Sequence, residues 1–193
     1  MSTLEDLLKF AKLTHKFQQT KRAVLVRNEK RFENDLEHSY QLAMLAWYLV
    51  DSENLKINKN KVVQYALVHD LVEVYAGDTH FYYGDKKLKL MREKKALLRI
   101  KKEFPKFKDI HKLIKLYEKS SDKESRFVHT LDKLIPVLNI YLDNGRTWKS
   151  DGITYEMLIS NKTPYFAQSK ELSGHFNQLV KRLKKQPSLF AKK

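Results

Sequence analysis

The chain has 193 residues, with 38 Lys plus Arg against 23 Asp plus Glu for a formal net charge of +15, and it has no cysteine. That length suits one domain with a full core, and an apolar share of 42% is too high for a disordered basic tail. The lack of cysteine excludes a disulfide-stapled scaffold, a thiolate zinc site and a cysteine nucleophile.

The N-terminus, MSTLEDLLKFAKL, is charged and amphipathic rather than signal-like, and predicts a helix over about 3–16. No apolar run approaches the roughly 18 residues of a membrane span, so a cytoplasmic protein is expected. The polar, Arg-bearing segment KRAVLVRNEKRFENDLEHS follows. A helix is predicted over 35–51, with Leu36, Ala43, Met44 and Trp47 as its apolar stripe. Another is expected over 59–75, apolar enough along VVQYALVHDLVEVYA to be buried, and ended by Gly77-Asp78 and the loop GDTHFYYGD. Helices are predicted over 86–103, 107–119 and 123–143; Pro105 separates the first two, and Ser121 or Asp122 caps the third. Asn144-Gly145 reads as the C-cap of that helix. Residues 154–161 and 168–185 read as helical with Pro164 between them, and the tail KKQPSLFAKK reads as frayed. Few glycines leave little room for hairpins, so the expected class is all-α. One domain is expected over 1–185, with a basic tail at 186–193.

The charge surplus is local. Residues 86–115 hold 13 Lys/Arg against 3 Asp/Glu, residues 181–193 hold 6 against none, and the rest nets −1. The apolar residues Leu90, Met91, Leu97, Leu98, Ile100 and Phe104 fall near helical spacing within the first block. That favours a solvated helix face over a phosphate-tracking stripe. Lys also outnumbers Arg 30 to 8, and Arg is the better fork for phosphate.

Three apolar-flanked helices place ionisable residues where a core normally excludes them: Glu37-His38, His69-Asp70 and Asp132. Burying carboxylates is costly unless they are paired or metal-bound. One divalent cation would resolve that cost for the set. Two imidazoles and two carboxylates suit Zn, Mn, Fe, Co or Ni better than Ca. On a continuous helix Glu73, four residues after His69 and three after Asp70, would face the same cavity and manage a proton. Asp78 follows in a loop able to reach a substrate. His15, His111 and His175 read as ordinary core or surface residues, His129 as a weaker rival ligand, and His80 stays undecided.

His38, His69-Asp70 and Asp132, within EHSYQLAMLAWYL, ALVHDLVEVYAGDT and ESRFVHTLDKLIPVL, resemble the HD-domain metal-dependent phosphohydrolases. The pattern is similar to the branch containing bacterial 5′-deoxynucleotidases, over about residues 20–142. The resemblance implies a single-domain helical bundle, often a homodimer, around one divalent ion held by His38, His69, Asp70 and Asp132. It implies Glu73 as the residue assisting attack of a metal-bound water, and Asp78 as a contact to the sugar hydroxyls of a (deoxy)nucleoside 5′-monophosphate. An Arg before the first His holds the 5′-phosphate in that branch, which points to Arg22, with Arg27 next. The Trp that follows it there is Ala23 here, which weakens a strict deoxyribose preference. Two alternatives stay open: an HD-domain hydrolase of a triphosphate, alarmone or cyclic dinucleotide, or a nucleic-acid-binding protein working through its basic surface.

Overall fold

The computed structural model describes residues 2–167 and 169–192. Helix α1 (Leu4–Gln19) leads into a hairpin of β1 (Lys21–Leu25) and β2 (Phe32–Asn34), then α2 (Asp35–Ser52) and α3 (Lys59–Val68). A four-residue turn leads to the single-turn α4 (Glu73–Ala76). Helices α5 (Lys86–Glu103), α6 (Lys108–Glu118) and α7 (Lys123–Leu142) come next. The chain ends with α8 (Arg146–Ser150), α9 (Tyr155–Phe166), α10 (Ser173–Lys184) and a 3₁₀ turn at Pro187–Leu189. Helix α7 is central, packing against α2, α3, α6 and α9. Among the described residues no helix is long and apolar enough to cross a membrane. The architecture is all-α apart from the hairpin.

The hairpin corrects the expectation of an irregular polar segment. Its strands pair antiparallel, Lys21 with Asn34 and Leu25 with Phe32, and Asn28 in the turn takes a left-handed φ of 63°. Alternation along a strand turns Arg22 and Val24 inward on β1 and Glu33 inward on β2. Asn34 then caps α2 through a box with Glu37, whose carboxylate also takes two bonds from Arg31 at the surface. Glu37 is therefore a capping residue and not part of a buried constellation.

The α2 stripe is the reverse of the expected one for three of its four residues. Ala43 is buried, but Leu36, Met44 and Trp47 are exposed. The buried face carries Asp35, His38, Ser39, Leu42, Ala46 and Val50 as well. Apolar periodicity picked the outer face because the inner one is partly polar.

Two further boundaries differ. Pro164 lies inside α9 rather than between helices, and α10 starts at Ser173; the expected start at Gln168 falls outside the described residues. The tail is docked, not frayed. Phe190 stacks on Trp148 with ring centroids 4.8 Å apart, Leu189 is buried, and the Ala191 amide donates to the Ile153 carbonyl. Gly145 permits this approach: it has a φ of 70°, and a Cβ there would sit 1.9 Å from the Leu189 carbonyl oxygen. Phe190→Ala should cost about 3 kcal/mol of stability, read as a lower midpoint in chemical denaturation.

Helix α7, which carries Asp132, is fixed at its start by Asp122. That carboxylate accepts from the Ser125 amide, the Tyr65 hydroxyl and the Lys61 ammonium. Burial works to raise its pKa, but the Lys61, Ser125 and Tyr65 bonds outweigh it and bring it down to about 2. A depressed carboxylate stabilises above its unfolded pKa and loses that contribution as pH falls through the folded one. Asp122→Ala should therefore cost about 2 kcal/mol at neutral pH. The gap from the parent should close between about pH 4 and 2 in acid-titrated thermal melts.

Candidate metal centre and substrate cavity

Three elements deliver the central side chains. His38 stands one turn into α2, and Asp132 lies midway along α7. The dipeptide His69-Asp70 sits where the expected continuous 59–75 helix is in fact broken. Over residues 68–75 the amides of Leu71, Glu73, Val74 and Tyr75 bond three residues back, to Val68, Asp70, Leu71 and Val72. That tightened winding aims His69, Asp70 and Glu73 in directions a regular helix would not give them.

His38 Nε2 lies 2.9 Å from Asp132 Oδ1, and His69 Nε2 lies 2.9 Å from Asp70 Oδ2 and 3.7 Å from Asp132 Oδ1. One ligand atom from each of His38, His69, Asp70 and Asp132 falls within 4.8 Å of all the others. The His69 ring shows that the group fits a cation. Its Nδ1 bonds the Ala66 carbonyl at 2.9 Å, so it carries the proton there. Its Nε2 then points a lone pair at two carboxylates and is buried without a hydrogen-bond partner. Acceptor facing acceptor is repulsive unless a cation lies between them.

A second layer of charge surrounds the cluster. Arg22 Nη1 reaches Asp70 Oδ2 at 2.6 Å and Asp35 Oδ1 at 3.2 Å, and its Nε reaches Glu33 Oε1 at 3.1 Å. Lys133 Nζ holds Asp132 Oδ2 at 2.6 Å, and Lys89 Nζ holds Glu73 Oε1 at 3.0 Å. Burial alone would raise Asp35, Asp70, Glu73 and Asp132. A proton on His69 Nε2, where no other cation sits between the two groups, and the charge of Arg22 pull Asp70 far below the usual range, and Lys133 with His38 does the same for Asp132. Asp35 and Glu73 go the other way. Burial and then the charge of Asp70 push Asp35 up to about 7 and hold Glu73 well above the ordinary glutamate value. Asp35 Oδ2 and Glu73 Oε2 are buried without hydrogen-bond partners.

The cluster opens into a cavity of about 110 Å³. Arg22, Asp70, Glu73, Asp78 and Asp132 line it, so the structure brings together the expected residues from the hairpin, the broken helix and α7. His38 lies behind them, fully buried. Arg27 is not in this company: it is exposed beyond the hairpin strand and lines a separate depression with Glu37 and Gln41. His129 stacks on Tyr117 with centroids 3.8 Å apart and bonds the Tyr117 carbonyl, which takes it out of the ligand set.

Several wall residues escaped the sequence reading or, like His80, were left undecided by it. His80 lines the cavity, and its Nε2 bonds Asp151 at 3.1 Å. Phe81, Tyr82 and Trp148 supply the aromatic surface that Ala23 does not. Lys89, Lys133 and Lys162 bring cations from three different helices. The one signal available for Lys133 was its adjacency to Asp132; Lys162 stood in a segment with no motif.

An all-helical protein with a buried two-His, two-Asp constellation at the floor of a cationic cavity belongs to a restricted class. An HD-domain family model matches residues 14–173, and the chain belongs to the HD-domain family. It is 32% identical over 137 residues to the human protein named 5′-deoxynucleotidase HDDC2, and 31% identical over 142 residues to the one from Danio rerio. Those stretches cover 69% and 72% of this chain, and 66% and 70% of the relatives, so the match spans about two thirds of their length. The fold is similar to a crystal structure titled a predicted metal-dependent phosphohydrolase from Magnetospirillum magnetotacticum. The TM-score is 0.83 at 29% identity, covering 98% of this chain and 96% of that one.

A divalent ion at a hundredfold excess over its dissociation constant should stabilise the fold by about 2.7 kcal/mol. Asp70→Ala should lose that gain, as read by thermal denaturation with and without added metal.

Proposed function

We propose that this protein is a metal-dependent phosphohydrolase that releases phosphate from nucleoside 5′-monophosphates, 2′-deoxynucleotides among them. The observation that carries the reading is the orphaned Nε2 of His69, aimed between Asp70 and Asp132. Membership of the HD-domain family and the likeness to proteins named 5′-deoxynucleotidase support the substrate class. His38, His69, Asp70 and Asp132 would hold one divalent ion from the Mn, Co, Zn, Ni and Fe group, which supplies Lewis-acid activation of water and of a phosphoryl oxygen.

The remaining chemistry falls to the chain's own groups. Glu73 Oε1 is fixed by Lys89, which leaves Oε2 as the atom that takes a proton from the attacking water or returns one to the leaving oxygen. Burial and the charge of Asp70 raise its pKa, which favours its holding a proton. Arg22 was the sequence-based phosphate candidate. With Nε and Nη1 already engaged by Glu33, Asp35 and Asp70, its first task is to orient and neutralise those carboxylates. Asp78, which lines the cavity, would accept from sugar hydroxyls. Phe81, Tyr82 and Trp148 give the base an apolar wall, placed differently from a Trp at position 23.

The direct test is phosphate release from ribo- and 2′-deoxynucleoside monophosphates after chelation and add-back of single divalent ions. Turnover that returns with metal supports the reading; none from any monophosphate under any ion overturns it. Glu73→Gln should retain metal, by elemental analysis of the purified protein, and lose at least about a hundredfold in kcat.

A further inference from the structure

Lys162 occupies a core position. The buried residues of α9 are Leu158, Lys162 and Phe166, four apart, so Lys162 stands in the inward stripe where the helical period calls for an apolar residue. It is 4% exposed, lines the cavity, and its ammonium lies 3.6 Å from the centroid of the Phe81 ring. The other cations of that wall are each matched by acids: Arg22 by Glu33, Asp35 and Asp70, Lys89 by Glu73 and Glu93, and Lys133 by Asp132. Among the described residues Lys162 has no carboxylate within salt-bridge distance; its ammonium rests on the Phe81 ring, and Asp132 acts on it only through the field it shares with Lys133 and Arg22. An aromatic face softens the burial of an ammonium but does not replace a counter-ion.

The same ring places a second ammonium nearby, with Lys133 Nζ 6.0 Å from the Phe81 centroid. Lys133 is also bonded to Asp132, a member of the candidate metal set. An anion shared by the two lysines would therefore lie beside the metal centre. We propose that Lys162 and Lys133 form the receptor for the phosphoryl dianion of the substrate monoester, with Lys162 as the group whose charge is reserved for it. This assignment rests on the phosphohydrolase reading and deepens it.

The residue types agree. Two ammonium groups on flexible stems act as point charges and follow a phosphoryl group as its geometry changes, where a guanidinium fork fixes one orientation. Burial and then the nearby charge of Lys133 bring Lys162 down to about 7. An arriving dianion thus also draws a full positive charge onto Nζ. Without an anion, a charged lysine at this position is a burden on the fold.

The test uses Lys162→Met, close in shape and apolar, with Lys162→Arg as the charge-retaining variant. Inorganic phosphate binding to the metal-loaded proteins is measured by calorimetry, alongside steady-state kinetics, metal content and thermal melting. Lys162→Met should weaken inorganic phosphate about tenfold or more, raise KM, keep its metal and melt higher than the parent. Lys162→Arg should recover much of the phosphate affinity. Phosphate affinity within twofold of the parent in folded, metal-replete Lys162→Met overturns the proposal. On the unaltered protein, saturating phosphate should shield Lys162 from acetic anhydride, read by mass spectrometry; labelling indifferent to phosphate also overturns it. A parent protein that binds phosphate through Lys162 yet hydrolyses no nucleotide would leave this assignment standing and sink the nucleotidase reading. Turnover with phosphate binding insensitive to Lys162 would do the reverse.

Discussion

The structure is organised around unmatched negative charge in its interior. Glu33, Asp35, Asp70, Glu73 and Asp132 converge from the hairpin, α2, the broken α3–α4 turn and α7, and each is largely withdrawn from water. Arg22, Lys89 and Lys133 answer them with three positive charges. These carboxylates outnumber the cations paired directly with them. The perturbed groups report the same imbalance independently. Asp35 and Glu73 are pushed up chiefly by burial and Asp70, while Asp35 Oδ2, Glu73 Oε2 and His69 Nε2 have no hydrogen-bond partner. Like charges at such separations in a low-dielectric interior repel strongly, so this arrangement is stable only where a cation or protons complete it.

That constraint explains the local departures from regular structure. A continuous helix through residues 59–75 would carry His69, Asp70 and Glu73 on 100° steps. The tighter turn at 68–75 instead lets the three meet side chains from α2, α5 and α7. The hairpin serves the same end: strand alternation delivers Arg22 and Glu33 from facing strands into one charge network, and Leu25 is tied to α8 through Thr147. The fold spends few residues on β-structure, and two of them, Arg22 and Glu33, reach the charge network of the site.

The clustering of the four residues of the candidate metal set was legible in the sequence because each is an ionisable group in an apolar-flanked segment, a pairing that is rare without a purpose. The supporting layer was hidden for particular reasons. Asp35 looks like an ordinary acid in the first turn of a helix, where such residues are common for dipole reasons. The α2 stripe was inverted because a helix face turned to a polar site no longer reads as hydrophobic. The hairpin was obscured because its strands are five and three residues long and run through charged sequence. Docking of the tail depends on two residues, Leu189 and Phe190, finding Trp148 and Gly145, and local composition does not encode such a tertiary meeting.

The distribution of the +15 also looks different once the helices are placed. Most of the basic block on α5 is exposed, but so are Leu90, Met91 and Leu98 of the apolar stripe expected there; the buried face of α5 holds Ala96 and Ile100. Yet Lys89 turns inward to Glu73, and Arg92 reaches Thr79 beside the cavity. The block is therefore part of the site's wall as well as a solvated surface. Interior cations and interior acids both lower the stability of the bundle, and a cavity lined by apolar residues of the same volume would fold more tightly. The capping boxes on α2 and α7, the Asp122 network and the buried tail offset that cost away from the cavity. The caps fix the ends of α2 and α7, while their middles carry both the apolar core and the charges of the cavity.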